Sequence, residues 1–337
     1  MIEYLTSPDF VILMIKIIVI FGGVMGSLAY LTWIERKVIA RVQMRPGPTR
    51  VGPFGLLQPI ADGLKFLFKE DVIPVNANRF LYIAAPVVSL IPALLAFSVI
   101  PFGPWLQITD LSVGLLFIFA ITSLGVYGIA LGGWASNSKY PLMGAIRSSA
   151  QMISYELSLT LSVVGVLMIA NTLSLNQLVL SQQRAWLGFI PRWNIFLQPV
   201  AFLIYIVSAI AETNRLPFDL AESEQELVAG WHTEYSSLKF AMFMLAEYAN
   251  MVTVSALATI MFLGGWSGPV AGPDWLQATL PTLWFVLKIF IFIFFYVLLR
   301  STLPRLRYDQ LMNFGWKFLL PLSLANILAT SFVVAIS

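Results

Sequence analysis

Eight apolar windows, each long enough to cross roughly 30 Å of hydrocarbon, recur along this chain near Phe10 to Ile34, Phe80 to Ile100, Val113 to Trp134, Ala150 to Ala170, Ile195 to Ala211, Leu238 to Leu263, Pro281 to Leu299 and Phe314 to Ile336. Inside lipid a backbone amide must find its partner within its own segment, which leaves only helices and closed barrels as spanning structures. The expected fold is therefore all-α: a polytopic membrane protein of about eight transmembrane helices, taken as a single membrane domain over residues 1–337. Composition agrees. At 58% hydrophobic and 11% charged residues, with a mean hydropathy of +0.83, the chain lacks the charged surface that a soluble domain of 337 residues needs. The stretch Met1 to Phe10 holds Glu3 and Asp9 but no Lys or Arg, so it lacks the basic start of a cleavable signal peptide and the first span is expected to be retained.

Loop charge predicts orientation. The loop from Ile34 to Phe80 holds Arg36, Lys37, Arg41, Arg45, Arg50, Lys65, Lys69 and Arg79, and its side gains Lys139, Arg147, Arg215, Lys239, Arg300, Arg305, Arg307 and Lys317. The opposite side holds only Arg184 and Arg192. The positive-inside rule then puts the long first loop in the cytoplasm and both termini outside, as in a bacterial-type inner membrane. Within that loop Leu56, Leu57, Ile60, Leu64, Leu67 and Phe68 recur at helical spacing, opposite Asp62, Lys65 and Lys69. This predicts an amphipathic helix in the membrane interface, entered through the broken run Arg45-Pro46-Gly47-Pro48-Thr49-Arg50-Val51-Gly52-Pro53. Amphipathicity alone does not separate a loop anchor from a working surface.

Several chemistries are excluded by residue type. There is no cysteine and His232 is the only histidine, which removes cysteine-held iron-sulfur clusters, c-type or bis-histidine haem and Cys/His zinc sites. If the chain takes part in redox chemistry, partners must hold the metals. No phosphate-binding loop occurs, and Gly22, Gly23 and Gly26 fall inside an apolar span, where helix packing is the expectation. The formal charge of +3 is spread through loops beside spans, which points to topology and not to nucleic acid.

The informative charges are those that a bilayer disfavours. Glu156 follows Tyr155 near the inner end of the fourth window, Glu212 closes the fifth, and Glu247 lies about 13 Å into the sixth by helical rise. If these helices pack together, the three carboxylates line one polar cavity. Desolvated carboxylates titrate nearer neutrality, as a proton path requires. The plainer alternative is a static pair for each, with Lys288 or Lys16 as the available cation. Between Glu212 and Leu227 the acids Asp219, Glu222, Glu224 and Glu226 surround Arg215, interleaved with Phe218, Leu220 and, farther on, Trp231. That mixture predicts a loop folded against protein or membrane, although clustered charge is more often a solvated connection. His232, two residues before Glu234, reads best as a hydrogen-bonded structural residue.

The run Glu-Thr-Asn-Arg-Leu-Pro-Phe-Asp-Leu-Ala-Glu-Ser-Glu-Gln-Glu-Leu-Val-Ala-Gly from Glu212, continued by Glu234-Tyr235-Ser236 and Glu247-Tyr248, resembles the signature loop of the H-subunit family of proton-pumping NADH:quinone oxidoreductase, respiratory complex I. Glu35-Arg36-Lys37, Arg45-Pro46-Gly47-Pro48, Val51-Gly52 and Leu57 to Lys65 are similar to the family's first loop, and Arg300 to Gln310 to its penultimate loop. The likeness covers essentially the whole chain. It implies a membrane subunit at the elbow of the complex that forms most of a quinone chamber and couples quinone reduction to proton translocation. Its substrate is then a quinone, its partners are the hydrophilic quinone-site subunits and adjacent membrane subunits, and it has no redox centre of its own.

On that resemblance Glu35, Arg36, Asp62 and Lys65 lie near the quinone path, with Arg300 from the penultimate loop. Arg215, Asp219, Glu222, Glu224 and Glu226 match the coupling loop. The proton path runs through Tyr155, Glu156, Glu212, Glu234 and Glu247, with Tyr127 in the third span where some members hold a carboxylate. Two other readings stay open: the membrane anchor of a related energy-converting hydrogenase or formate-linked complex, and a stand-alone proton or ion transporter. The dense match in two loops favours the quinone enzyme, and no paired repeat of the transporter kind is visible.

Overall fold

A computed structural model describes residues 8–183, 185–186, 190–219, 228–269 and 273–336. The chain forms α1 (Pro8–Val42), a one-turn helix at Pro53–Gly55, α2 (Gln58–Phe68), α3 (Arg79–Ser98), α4 (Gly114–Ala135), α5 (Lys139–Ala170) and α6 (Leu175–Ser181). A two-residue antiparallel ladder of β1 (Ala185–Trp186) and β2 (Ile190–Pro191) follows. Then come α7 (Asn194–Leu197), α8 (Pro199–Glu212), a turn at Gly230–His232, α9 (Ser237–Phe262), α10 (Asp274–Thr302) and α11 (Tyr308–Ile336), the last passing through a π-helical turn at Gly315–Leu319.

Seven of these helices, α1, α3, α4, α5, α9, α10 and α11, are long and apolar enough to cross a membrane. The chain is a multi-pass membrane protein, all-α apart from that short ladder. The fifth expected window differs from the others. Gln198 leaves helical geometry (φ −132°, ψ 57°), so the segment divides into α7 and the 14-residue α8, about 21 Å long at 1.5 Å per residue. An apolar window does not reveal such a break, because hydropathy runs through it.

Burial ranks the helices. In the most apolar window of α9, 61% of residues are buried, against 17% in α1 and α11, and every residue from Met251 to Phe262 is buried. A helix apolar on all faces belongs at the centre of a bundle. Accordingly α9 packs on α3 and α10, α3 on α4, α4 on α5, and α5 on both α8 and α11. Glycine permits two of these approaches. A Cβ on Gly128 would fall 2.0 Å from Ser89 Oγ and 2.9 Å from the Ala85 carbonyl, and one on Gly133 would fall 2.3 Å from Ala145 Cβ and 2.5 Å from the Pro141 carbonyl. By contrast, Gly22, Gly23 and Gly26 are exposed and meet nothing within 4 Å, so the packing expected of them does not occur within this chain.

Polar groups at breaks are satisfied locally. Pro86 has no amide to give the Tyr82 carbonyl, and the Tyr235 hydroxyl donates to that carbonyl at 3.1 Å. At the end of α9, Gly264 and Gly265 turn the chain with φ of 69° and 54°. Lys288 of α10 donates to the carbonyls of Leu263, Gly265 and Ser267 at 2.7, 2.8 and 2.7 Å, with its ammonium 4.8 Å from the Trp193 ring. We expect Gly133→Val to destabilise the isolated chain in detergent by about 1–3 kcal/mol or more through overpacking. Gly22→Val, which enters open space, should leave the thermal midpoint unchanged, and equal shifts in the two variants would refute this account of helix spacing.

Candidate functional site

The basic end of the bundle gathers charged side chains from four separate segments. Glu35, directly after the apolar stretch of α1, is 5% exposed. Its Oε1 accepts from Arg300 of α10 and lies 3.4 Å from Arg215 Nη1, while its Oε2 accepts from the Tyr248 hydroxyl of α9. Arg215, from the loop after α8, turns its Nε to Glu247 Oε1 at 2.8 Å and lies 4.5 Å over the Tyr248 ring. Two guanidinium groups and two carboxylates thus cancel in charge, with Arg215 and Glu35 the most deeply buried of the four. Paired burial of this kind is tolerable only when both partners are present.

Beside this cluster lies a cavity of about 670 Å³ between α1, α2 and α9. Its walls are largely apolar, from Leu28, Phe66, Leu67, Ala241, Met244 and Leu245, and its polar end is made by Glu35, Arg36, Asp62, Tyr248 and Arg300. One face of α2 looks into the cavity while Ile60, Leu64 and Phe68 are exposed, the last at 86%, as the predicted interfacial helix requires. Asp62 moors α2 to α1: it accepts from Arg36 at 2.6 Å and from Gln58 at 2.9 Å, with Lys65 at 3.8 Å.

A second, smaller cavity of about 40 Å³ lies deeper, lined by Glu212, Glu247, Asn250, Thr213, Asn214 and Trp231 among others. That is room for one or two waters. Glu247 therefore faces this cavity while pairing with Arg215. Glu212 Oε2 is buried with no hydrogen-bond partner among the described residues. Glu156 does not line the cavity but is near enough to Glu212 for their charges to repel.

The NADH dehydrogenase family model matches residues 15–331. A relative from Koribacter versatilis, an H subunit of NADH-quinone oxidoreductase, is 56% identical over 96% of this chain and 97% of its own length. The H subunit from Thermomicrobium roseum is 52% identical over 94% of each chain, and one from Geobacter sulfurreducens is 48% identical over 95% of this chain and 94% of its own. The chain belongs to the H-subunit family of NADH-quinone oxidoreductase. It is thus a membrane component of a multi-subunit enzyme complex.

In this member of the H-subunit family the predicted residues divide into groups. Glu35, Arg36, Asp62 and Arg300 line the large cavity, whereas Lys65 does not and is largely exposed, 3.8 Å from Asp62. Arg215 lies behind Glu35. Asp219 is apart from both cavities, 5% exposed, with Oδ2 3.1 Å from Arg305 Nη2 and Oδ1 without a partner among the described residues. Glu222, Glu224 and Glu226 lie outside the described residues. Tyr155 is fully buried and donates to the Leu311 carbonyl at 2.8 Å, which joins α5 to α11. Glu234 offers its backbone carbonyl to Tyr82 at 2.6 Å. Tyr127 is 62% exposed on the outer face of α4 and meets neither cavity, so this chain does not bring it to the carboxylates. His232 packs against Trp231 and Phe240, and burial pushes its imidazole down to about 4, so it is neutral at pH 7 and poorly suited to donate a proton.

The sequence reading did not single out Tyr248, Arg305 or Asn250. Tyr248 was within reach, since it directly follows Glu247. Arg305 had no local signal, because its partner is 86 positions away.

Burial raises the Asp219 carboxyl to about 6, outweighing the attraction of Arg305. A raised carboxylate favours the fold in its protonated form, so that contribution is present below its unfolded value of 3.8 and is lost as pH rises through about 6. We expect the wild type to gain thermal stability relative to Asp219→Asn as pH falls from about 8 to about 4. A pH-independent difference between the two melting curves would refute this.

Proposed function

We propose that this chain forms the wall of a quinone-binding chamber in NADH-quinone oxidoreductase and couples quinone reduction to proton translocation. The observation that carries the proposal is the sharing of one ion-pair cluster by two cavities. Glu35 and Arg300 face the large cavity, Arg215 joins Glu35 to Glu247, and Glu247 faces the small cavity that also holds Glu212. An apolar slot with a charged end suits a lipid quinone, whose tail takes the apolar walls and whose headgroup takes the polar end.

The electrons come from partner subunits that hold the flavin and iron-sulfur clusters, and full reduction of a quinone takes up two electrons and two protons. Negative charge arriving on the headgroup competes with Glu35 for Arg300 and Arg215. A guanidinium drawn toward the headgroup leaves Glu247 as the uncompensated carboxylate. Glu247 then takes a proton from water in contact with the small cavity; when the guanidinium returns to Glu247, that proton is released through the cavity to Glu212 and on to Glu156, leaving Glu247 ionised and paired as before. Asp219 anchors the start of the coupling loop through Arg305, Glu222, Glu224 and Glu226 belong to the same run of sequence, Tyr155 and Glu234 fix the frame around the path, and Tyr127 is available to a neighbouring membrane subunit. In this reading residues 1–337 form a single membrane domain in the inner membrane, with α7 and α8 together making an eighth crossing beside the seven long helices, the loop from Ile34 to Phe80 cytoplasmic and both termini outside. The neighbours are the hydrophilic quinone-site subunits and adjacent membrane subunits.

The test uses the intact complex, isolated through a tag on this chain, with partners identified by mass spectrometry. Arg300→Gln and Glu35→Gln should lower inhibitor-sensitive NADH:quinone activity by about tenfold, roughly the loss of one charged hydrogen bond, while NADH oxidation by an artificial acceptor is kept. Glu212→Gln and Glu247→Gln should leave assembly intact and impair proton-coupled turnover. Normal coupled activity in all four variants, or recovery of hydrogenase or formate-linked partners, would overturn the assignment.

A further inference from the structure

The large cavity is bounded on one side by α2 and on the other by α9, and the two helices meet at one end. There the carboxyl end of α2 abuts the amino end of α9. The Ser237 hydroxyl shares its proton between the carbonyls of Phe66 and Lys69, each at 2.9 Å. The Phe66 carbonyl is one of the last in α2, which has no helical amide left to meet it. Ser236 Oγ accepts from the Val72 amide at 3.2 Å and donates to the Glu70 carbonyl at 3.4 Å. Lys239 then pairs with both oxygens of Asp71 at 2.9 and 2.8 Å.

Two further observations mark this junction. Ser237 has a φ of 55°, a left-handed backbone at the first residue of α9 that a non-glycine residue adopts at a cost. The negative end of the α2 dipole also faces the positive end of the α9 dipole, so the joint is favoured electrostatically. From this joint the residues facing the cavity diverge along both helices: Phe66 and Asp62 on α2, Leu238, Ala241 and Tyr248 on α9. Nearer the middle of α2, the ion pair between Asp62 and Arg36 ties it to α1.

We propose that Ser236 and Ser237 are positioning residues that pin α2 to α9 and so set the width of the cavity between them. This rests on the chamber reading above. Neither hydroxyl touches the cavity's polar end. They act through Phe66 and Leu67 on one wall and Leu238 and Ala241 on the other, and through α9 they fix those walls relative to Glu247 and Tyr248. The pair between Lys239 and Asp71 is half in solvent on its acidic side, so it contributes less than the hydroxyls.

The experiment uses the intact complex with the double variant Ser236→Ala and Ser237→Gly. Glycine keeps the left-handed backbone without strain, so the loss is confined to the hydroxyls. The expected result is a rise of about threefold or more in KM for a long-tailed quinone with kcat within about twofold of wild type. The rise should be smaller for a short-tailed quinone, and oxidation of NADH by an artificial acceptor should stay normal. A purely structural joint would lower the amount of complex without this split between KM and kcat. Unchanged KM for both quinones, where Arg300→Gln does impair quinone reduction, would overturn the pin and leave the chamber reading standing. Unchanged kinetics in both would overturn the chamber reading itself. If the double variant does not assemble, the single variants Ser236→Ala and Ser237→Gly are read by the same split, and unchanged KM in both overturns the proposal.

Discussion

Arg215 stands between two carboxylates, the buried Glu35 and the partly buried Glu247, and the arrangement of the bundle's basic end depends on that contact. Its Nε meets Glu247 and its Nη1 meets Glu35, which is shared with Arg300 and Tyr248. Removing any one charge would leave another desolvated and unmatched, which in a protein interior typically costs about 3–5 kcal/mol. The cluster therefore requires α1, the loop after α8, α9 and α10 to arrive together. The packing of α9 against α3 and α10, and of α10 against α1, makes that possible. The small and large cavities follow from it, because the same side chains fill the space between them.

That common wall gives the site its direction. A group entering the large cavity meets Arg300 and Glu35, and anything that displaces them acts on Arg215 through Glu35, and on Glu247 through Arg215. The links in that chain are pairs that already exist, with contacts of 2.8 to 3.4 Å. In a low-dielectric interior such rearrangements are felt strongly, since an unmatched charge there is poorly screened.

Much of this was legible in the sequence, and the exceptions have physical causes. The spans show as hydropathy, and the interfacial α2 as a helical repeat of Leu57, Ile60, Leu64 and Phe68. Glu35, Arg36, Asp62 and Arg300, named from loop motifs, do converge on one cavity. The face of a helix was harder to read. The helix α4 is apolar on every side, so nothing in its pattern shows that Tyr127 points outward. The same blindness made Gly22, Gly23 and Gly26 look like packing residues and hid the break at Gln198. Ion pairs were the least legible. Arg215 and Glu35 are 180 positions apart and Arg300 and Glu35 are 265 apart, so only the packing of helices discloses them.

Lys288 shows why the carboxylates remain available. On sequence it was the natural static partner for a glutamate in the spans. In the fold all three of its ammonium donors go to carbonyls at the end of α9, where the glycine turn leaves them open. Its charge is thus offset by backbone dipoles and by the Trp193 face, with no carboxylate involved. Arg215 is likewise committed, to Glu35 and Glu247. No ion pair reaches Glu212 or Glu156 among the described residues, and Glu212 keeps an oxygen open beside a cavity of water size. A buried acid in that position holds its negative charge only at a cost. Lys288 is thus tied to backbone carbonyls, Arg215 and Arg300 are tied to Glu35 and Glu247, and Glu212 and Glu156 stand outside these pairs among the described residues.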